Sequence, residues 1–244
     1  MAKFASIIMV HYAQDGVRSA TMRASLKSLF ESTSYPFELI VIDNGGSMED
    51  SHFLLDLCGQ GKITHYIRNY DNLHFGFSRN QGLALAQGDY ICIADNDLLY
   101  KKDWLSECVR LLDSFPEEKI YTTPVDYPTS GLRQKYNVGT LVLDGVSYQK
   151  NMRAGSNCFV MRRKDFEEVG KFVIHIIAGS RWTDTAVHKG YSALIIPGKL
   201  IEDLGLRKGY NFRLPMYCGM SLSDNSKVFF NGYTDAILQR SFKW

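Results

Sequence analysis

Two carboxylates two residues apart, Asp95 and Asp97, close the stretch 90-YICIADND-97. Tyr90 to Ala94, mostly apolar, precede them with the composition of a buried strand. Side chains two apart on an extended backbone point to the same side, so both carboxylates can face one cation. A hard divalent ion takes oxygen ligands and is often held by one or two carboxylates together with substrate phosphates. The chemistry this spacing suits is a clamp for a diphosphate and its metal. A D-x-D pair alone is common in proteins; its place at the end of a core strand singles it out. The rival use, capping the next helix, falls to Asp103, directly before Trp104 and Leu105.

Two further polar pairs, His11-Tyr12 and Asp43-Asn44, also end apolar runs. In an open α/β sheet, ligands bind outside the carboxyl ends of the strands, so the three clusters are expected to share one edge. Other chemistries lack their residues. The first strand is followed by His11-Tyr12-Ala13-Gln14-Asp15-Gly16 in place of G-x-G-x-x-G, and no Walker A sequence occurs. The six histidines have no H-E-x-x-H spacing and read as surface or core residues. No G-x-S-x-G elbow exists.

The elements that must position these residues alternate. The runs 4-FASIIMVHY-12, 37-FELIVID-43 and 63-ITHYIRN-69 read as strands, as does the run before Asp95. Between them, 18-RSATMRASLKSLFES-32 puts Met22, Leu26, Leu29 and Phe30 on one helical face. A second helix starts at Ser47, with Glu49 and Asp50 in its first turn, and is stopped by Gly59 and Gly61. Ser78 and Gln81 have capping-box spacing, predicting a third helix from there through Ala86. A fourth follows Asp103. Four strand–helix alternations in about 115 residues predict an α/β fold with a doubly wound, mostly parallel central sheet flanked by helices. Residues 120 to 153 read as a loop or hairpin excursion, followed by a strand in 155-GSNCFVMRR-163, a short helix in 164-KDFEEVG-170 and the apolar 190-GYSALIIPG-198.

Composition sets the outer limits. The 244 residues are 45% hydrophobic and 22% charged, enough for one large domain and not the profile of a disordered chain. A net charge of +2 gives no basic patch for nucleic acid. No apolar run is long enough to span a bilayer, and the start lacks the regions of a signal peptide. Five scattered cysteines without a C-x-x-C pair argue for a reducing compartment and against zinc. A cytoplasmic protein is expected.

The ordered blocks 6-SIIMVHY-12, 39-LIVIDNGGS-47, 72-NLHFGFSRNQGLALAQGDYICIADND-97 and 155-GSNCFVMRRKDFEEVGKF-172 resemble a family 2 glycosyltransferase of the GT-A fold. Asn72, Gly76, Arg79, Asn80 and Gly82 fall at the family's N-x-G-x-x-x-x-R-N-x-G positions, with Leu73-His74-Phe75 as a slightly long loop. The resemblance runs over roughly residues 4 to 205 and implies a single domain over 1–244, with a donor half to about 115 and an acceptor half beyond. It implies transfer of a sugar, with inversion, from a nucleotide-diphosphate sugar to a saccharide or lipid-linked saccharide, as in cell-surface polysaccharide synthesis. A UDP-sugar is favoured, and the implied cofactor is Mn²⁺ or Mg²⁺.

By the same resemblance, Asp43 and Asn44 with His11 and Tyr12 would meet the donor base, and Arg79 would serve the phosphates or order the acidic loop. Asp95, Asn96 and Asp97 would hold ribose and metal, with Asp97 the first choice of metal ligand. Asp184 in 181-RWTDTAVHKGY-191 would be the catalytic base, although the family's second acid is missing there and the distance to Gly190 is short. Its other reading is the cap of the helix it opens. Asp203 in 201-IEDLGL-206 stands where the family commonly has a metal-completing His, and reads equally as an exposed loop acid. The tail, with Arg207, Lys208, Tyr210, Phe212, Arg213 and 240-RSFKW-244, reads first as packing on the domain; donor phosphates, an acceptor, or headgroups at the inner membrane face are its functional alternatives. A nucleotidyltransferase of similar fold would require a Gly-rich basic first loop, which is absent. An inactive glycan- or partner-binding domain would tolerate loss of Asp97.

Overall fold

The computed structural model describes residues 2–13, 15–125, 136–174, 178–198 and 200–204. In chain order its strands are β1 Ala5–His11, β2 Phe37–Asn44, β3 His65–Asn69, β4 Tyr90–Asp95, β5 Leu98–Tyr100, β6 Ile120–Thr123, β7 Asn137–Leu143, β8 Val146–Asn151, β9 Cys158–Arg162, β10 Ser192–Ile195 and β11 Ile201–Asp203. The helices are α1 Gly16–Ser32, α2 Met48–Gly59, α3 Phe75–Leu85, α4 Trp104–Ser114, α5 Arg163–Val169 and α6 Ala178–His188.

Among the described residues, nine strands form one sheet in the order β3-β2-β1-β4-β9-β6-β10-β8-β7. The first four are parallel; β1, β2 and β4 show the continuous apolar runs of strands buried on both faces, whereas β3 is a half-buried edge strand. Ile7 and Met9 pack on one side with Met22, Leu26 and Leu29 of α1 and Leu54 of α2, while Ile8 faces a second core with Ile93, Phe159 and Trp182. Helices on both faces make the sheet doubly wound. On the second face, α3 comes close enough that a Cβ on Gly82 would meet Ile8 Cγ2 at 2.5 Å, so the residue type sets the helix–sheet distance.

β9 then enters antiparallel between β4 and β6, pairing Tyr90 with Arg162 and Ala94 with Cys158. β6 and β10 run parallel, and the β7–β8 hairpin forms the far edge. Residues 120 to 153 therefore hold more than an excursion. β6 is a core strand with Ile120 and Tyr121 buried, and the hairpin turns at Asp144-Gly145, both at positive φ, 51° and 77°. That dipeptide is a two-residue hairpin turn whose twist suits the flanking strands.

Two expected caps are replaced. α3 begins at Phe75, ahead of Ser78, because the ring Nδ1 of His74 accepts the Gly76 N–H at 3.3 Å. Gln81 is thereby free to exchange two amide hydrogen bonds with Asn69, at 2.9 and 3.0 Å. Asp103 occupies the first cap position of α4, but its left-handed φ of 64° turns the carboxylate away from the helix to accept from Ser34 Oγ at 3.1 Å. α2 is capped as expected, with Ser47 Oγ accepting the Asp50 N–H at 3.2 Å. Ser47→Ala is expected to cost about 1 kcal/mol, seen as a lower urea midpoint with an unchanged slope.

Candidate active site

The parallel register places His11 beside Asp43 across β1–β2, and Val10 beside Asp95 across β1–β4. Neighbouring strands lie about 4.8 Å apart, so the three polar strand ends do form one edge.

Asp95 is held by Arg79, whose Nη2 donates to Oδ1 at 2.7 Å and to the Ser156 carbonyl at 3.2 Å. Arg79 is 4% exposed, its guanidinium between the rings of Phe75 at 4.9 Å and Phe172 at 5.2 Å. Arg79 thus ties the first carboxylate of the acidic loop to the segment before β9. The Asp95 side chain keeps 41% of its surface open at the mouth of the crevice. Desolvation raises its pKa, Arg79 opposes that rise, and Asp203 adds to it.

Asp203 reaches this loop through a two-stranded ribbon. β11 pairs with β5 so that Asp203 lies opposite Leu98, and the Leu204 N–H donates to the Asp97 carbonyl at 2.8 Å. Asn157 steadies both acids: its carbonyl accepts the Asp95 N–H at 2.7 Å, and its Nδ2 donates to Asp203 Oδ2 at 2.8 Å. The third carboxylate is felt electrically. Desolvation, then Asp95, then Asp203 push Asp97 up to about 8. Such a cluster of repelling carboxylates suits a divalent cation, which would relieve the repulsion. Among the described residues, though, no group of three or more His, Cys, Asp or Glu is arranged to hold a metal by itself.

The other strand ends lie deeper. Asp43 is fully buried and accepts from the Gly46 N–H at 2.8 Å, from Tyr66 at 2.9 Å and from Ser51. Desolvation and then Asp43 push the Tyr66 phenol up to about 12, which keeps it a donor. A Cβ at Gly46 would meet Asp43 Oδ1 at 2.8 Å and the His11 ring at 3.1 Å, so only glycine lets this turn close. Asn44, 1% exposed, accepts from Asn69 and the Leu73 N–H at 3.0 Å and donates to Asn72 at 2.7 Å. His11 is buried between Asn96 at 2.8 Å and Asp50 at 3.2 Å. These three residues form the floor of the edge, whereas Tyr12, Asn96 and Asp97 are half-buried along it.

Asp184 does not open a helix. It is the seventh residue of α6, with its carboxylate ion-paired to Arg153. The start of α6 abuts the Arg79 site, since a Cβ on Gly179 would sit 3.6 Å from Arg79 Nη1. A rise of 1.5 Å per residue puts Asp184 roughly 8 Å further along the axis. Trp182, stacked on Phe159 at 4.6 Å and Phe166 at 5.1 Å, anchors that helix. The basic and aromatic residues from Arg207 onward lie outside the described residues. Asp50, Asn157 and Arg153 entered the site without being anticipated; only Asp50 left a sequence signal, three residues after Ser47.

The family model for glycosyl transferase family 2 matches residues 6–170, more than half of the chain. Hyaluronan synthase of Pasteurella multocida is 31% identical over 105 residues, 43% of this chain and 10% of that protein. Among solved structures, the mannosyltransferase PcManGT from Pyrobaculum calidifontis in complex with GDP-Man and Mn²⁺ superposes with a TM-score of 0.63 at 18% identity, over 84% of this chain and 58% of that one. GalNAc-T7 with UDP, GalNAc and Mn²⁺ gives 0.60 at 14% identity, over 80% and 42%. The chain spans less than two thirds of each of these proteins. At these identities the likeness shows the fold, which is GT-A. No described helix is long and apolar enough to cross a membrane.

Proposed function

The chain belongs to glycosyl transferase family 2, and on that premise we propose that it transfers a sugar, with inversion, from a nucleotide-diphosphate sugar to a saccharide or lipid-linked saccharide. The observation that carries the reading is the edge at which Asp95, Asp97 and Asp203 converge beside the Asp43–His11 floor. A UDP-sugar is the favoured donor, and cell-surface polysaccharide the favoured product, made in the cytoplasm at the inner membrane face. Among the described residues, Cys58, Cys92, Cys108 and Cys158 are free, which suits a reducing compartment.

Asp97, Asp95 and Asp203 would hold the divalent cation, Mn²⁺ or Mg²⁺, which when bound stabilises the charge of the departing diphosphate. Arg79 fixes the direction of the Asp95 carboxylate. Asp43 and Asn44, from the floor, and Tyr12, from the rim, shape the space for base and ribose. The acceptor hydroxyl oxygen attacks the anomeric carbon as that carbon's bond to the phosphate oxygen breaks. The electron pair leaves on the diphosphate, and the hydroxyl proton passes to the Asp184 carboxylate. Arg153, its ion-pair partner, must turn aside or hold it while the proton arrives. Asp184→Asn is expected to lower kcat at least about 100-fold while donor KM moves less than threefold; equal effects on both would remove Asp184 from the base position.

The reading is tested by calorimetric titration with UDP, GDP, CDP and dTDP, each with Mn²⁺ and again with EDTA. Binding of one diphosphate only in the presence of metal supports it and identifies the base. Binding of none overturns it.

A further inference from the structure

The two acids of the D-N-D turn have clear work; the residue between them points elsewhere. Asn96 Nδ2 lies 2.8 Å from Nδ1 of His11, a ring with no exposed surface. The other ring nitrogen, Nε2, lies 3.2 Å from Asp50 Oδ2. Asp50, also fully buried, is fixed from three further directions. Ser19 Oγ donates to Oδ2 at 2.5 Å, Arg23 Nη2 to Oδ1 at 3.1 Å, and Ser47 Oγ accepts its backbone N–H at 3.2 Å. A fixed carboxylate can only accept, so His11 Nε2 carries the hydrogen and Nδ1 is left to accept from Asn96.

We propose that His11 and Asp50 are a positioning pair for this enzyme, selecting one imidazole tautomer so that Asn96 is anchored and the acidic turn stands ready for the diphosphate and its cation. The inference rests on the glycosyl-transfer reading for its consequence and on the hydrogen-bond chain for its geometry. Burial lowers the His11 pKa, against the raising effect of Asp50, which keeps the ring neutral as the chain requires. The chain also crosses elements: it links the turn after β4, through the end of β1, to the first turn of α2 and the face of α1. Held in this way, Asn96 acts on the donor through the turn it fixes.

Two substitutions separate positioning from mere filling of space. His11→Asn places an amide oxygen near the Nδ1 position and keeps an acceptor for Asn96. His11→Gln is closer in length and puts its amide near Nε2, so it keeps the Asp50 contact and strips Asn96 of its partner. Positioning predicts that His11→Gln weakens Mn²⁺-dependent UDP binding about tenfold and raises donor KM more than it lowers kcat. His11→Asn loses less than about threefold, and adding Asn96→Ala to His11→Gln has no further effect. In the ligand-free ¹⁵N-labelled protein, the Asn96 side-chain amide protons exchange slowly in wild type and His11→Asn and fast in His11→Gln.

A filling role predicts the reverse ranking, with binding following thermal stability, and that result overturns the proposal. Unchanged amide exchange in His11→Gln overturns it as well. If wild type binds no diphosphate, the transferase reading falls, while the amide exchange still decides whether His11 anchors Asn96.

Discussion

Asp97→Asn is expected to abolish cation-dependent nucleotide binding and, in the same protein without cation, to raise thermal stability. Asp97 is pushed up to about 8 by desolvation and by Asp95 and Asp203, against 3.8 for an ordinary aspartate. Between those two values the folded chain keeps a proton that the unfolded chain has released. The Asp97 contribution to stability then falls as pH rises through the window from about 4 to about 8, and is level on either side of it. Asparagine has no proton to lose, so the slope flattens. With EDTA at pH 8, the variant's Tm should exceed that of wild type by at least about 2–4 °C, equivalent to about 1 kcal/mol for a chain of this size. With Mn²⁺, its affinity for the nucleoside diphosphate should fall at least about 100-fold, more than the loss of an outer-shell partner causes. Melting curves across pH with and without cation, plus calorimetry, read both effects. Parallel pH slopes for the two proteins would show that Asp97 is not under this strain.

Arg79→Met is expected to cost about 2–3 kcal/mol, because it removes a charge-assisted hydrogen bond and leaves the partly open Asp95 carboxylate unpaired beside two others. Arg79 is 4% exposed, and its guanidinium bonds to Asp95 and the Ser156 carbonyl while lying between two aromatic rings. Lysine keeps the charge but has neither the planar fork nor the stacking face. Arg79→Lys should therefore lose about half as much stability, yet most of the activity. Adding Asp95→Asn to Arg79→Met removes the unpaired charge and should restore about 1 kcal/mol without restoring turnover. Urea unfolding of the three variants measures this. Equal costs for Met and Lys would mean that the ring cage, and not the ion pair, dominates.

β1, β2 and β4 were legible because strands buried on both faces leave unbroken apolar runs, and Ile7, Ile8 and Met9 need no knowledge of their partners to be read. Asp95 and Asp97 were legible for the same local reason, a period of two at the end of such a run. What the sequence hid depends on contacts far along the chain. The insertion of β9 between β4 and β6 joins residues about 70 positions apart and leaves no periodic trace. His74 caps α3 with a ring nitrogen at a φ of 73°, outside the usual capping residues, so the helix begins three residues before Ser78. Asp144-Gly145 was readable as a hairpin turn but lay in a Pro- and Gly-containing stretch that masked the strands around it. In the site, Asp203 could be placed only by resemblance; its position comes from the β5–β11 ribbon. The link from Asn96 to Asp50 passes through a histidine whose buried ring gives no pattern at all.

The insertion of β9 also governs how the chain can be divided. The segments before and after residue 115 meet along a ladder from Tyr90–Arg162 to Ala94–Cys158, in the middle of a shared sheet. A fragment ending near residue 115 would keep Asp43, Asp95 and Asp97 and lose Asp203, but would bare the full length of β4 as an apolar edge. Unpaired edges of that kind recruit other strands. Truncation should therefore give a self-associating product in place of a small nucleotide-binding module, and a split protein should regain solubility only when the strand Cys158–Arg162 is supplied in trans.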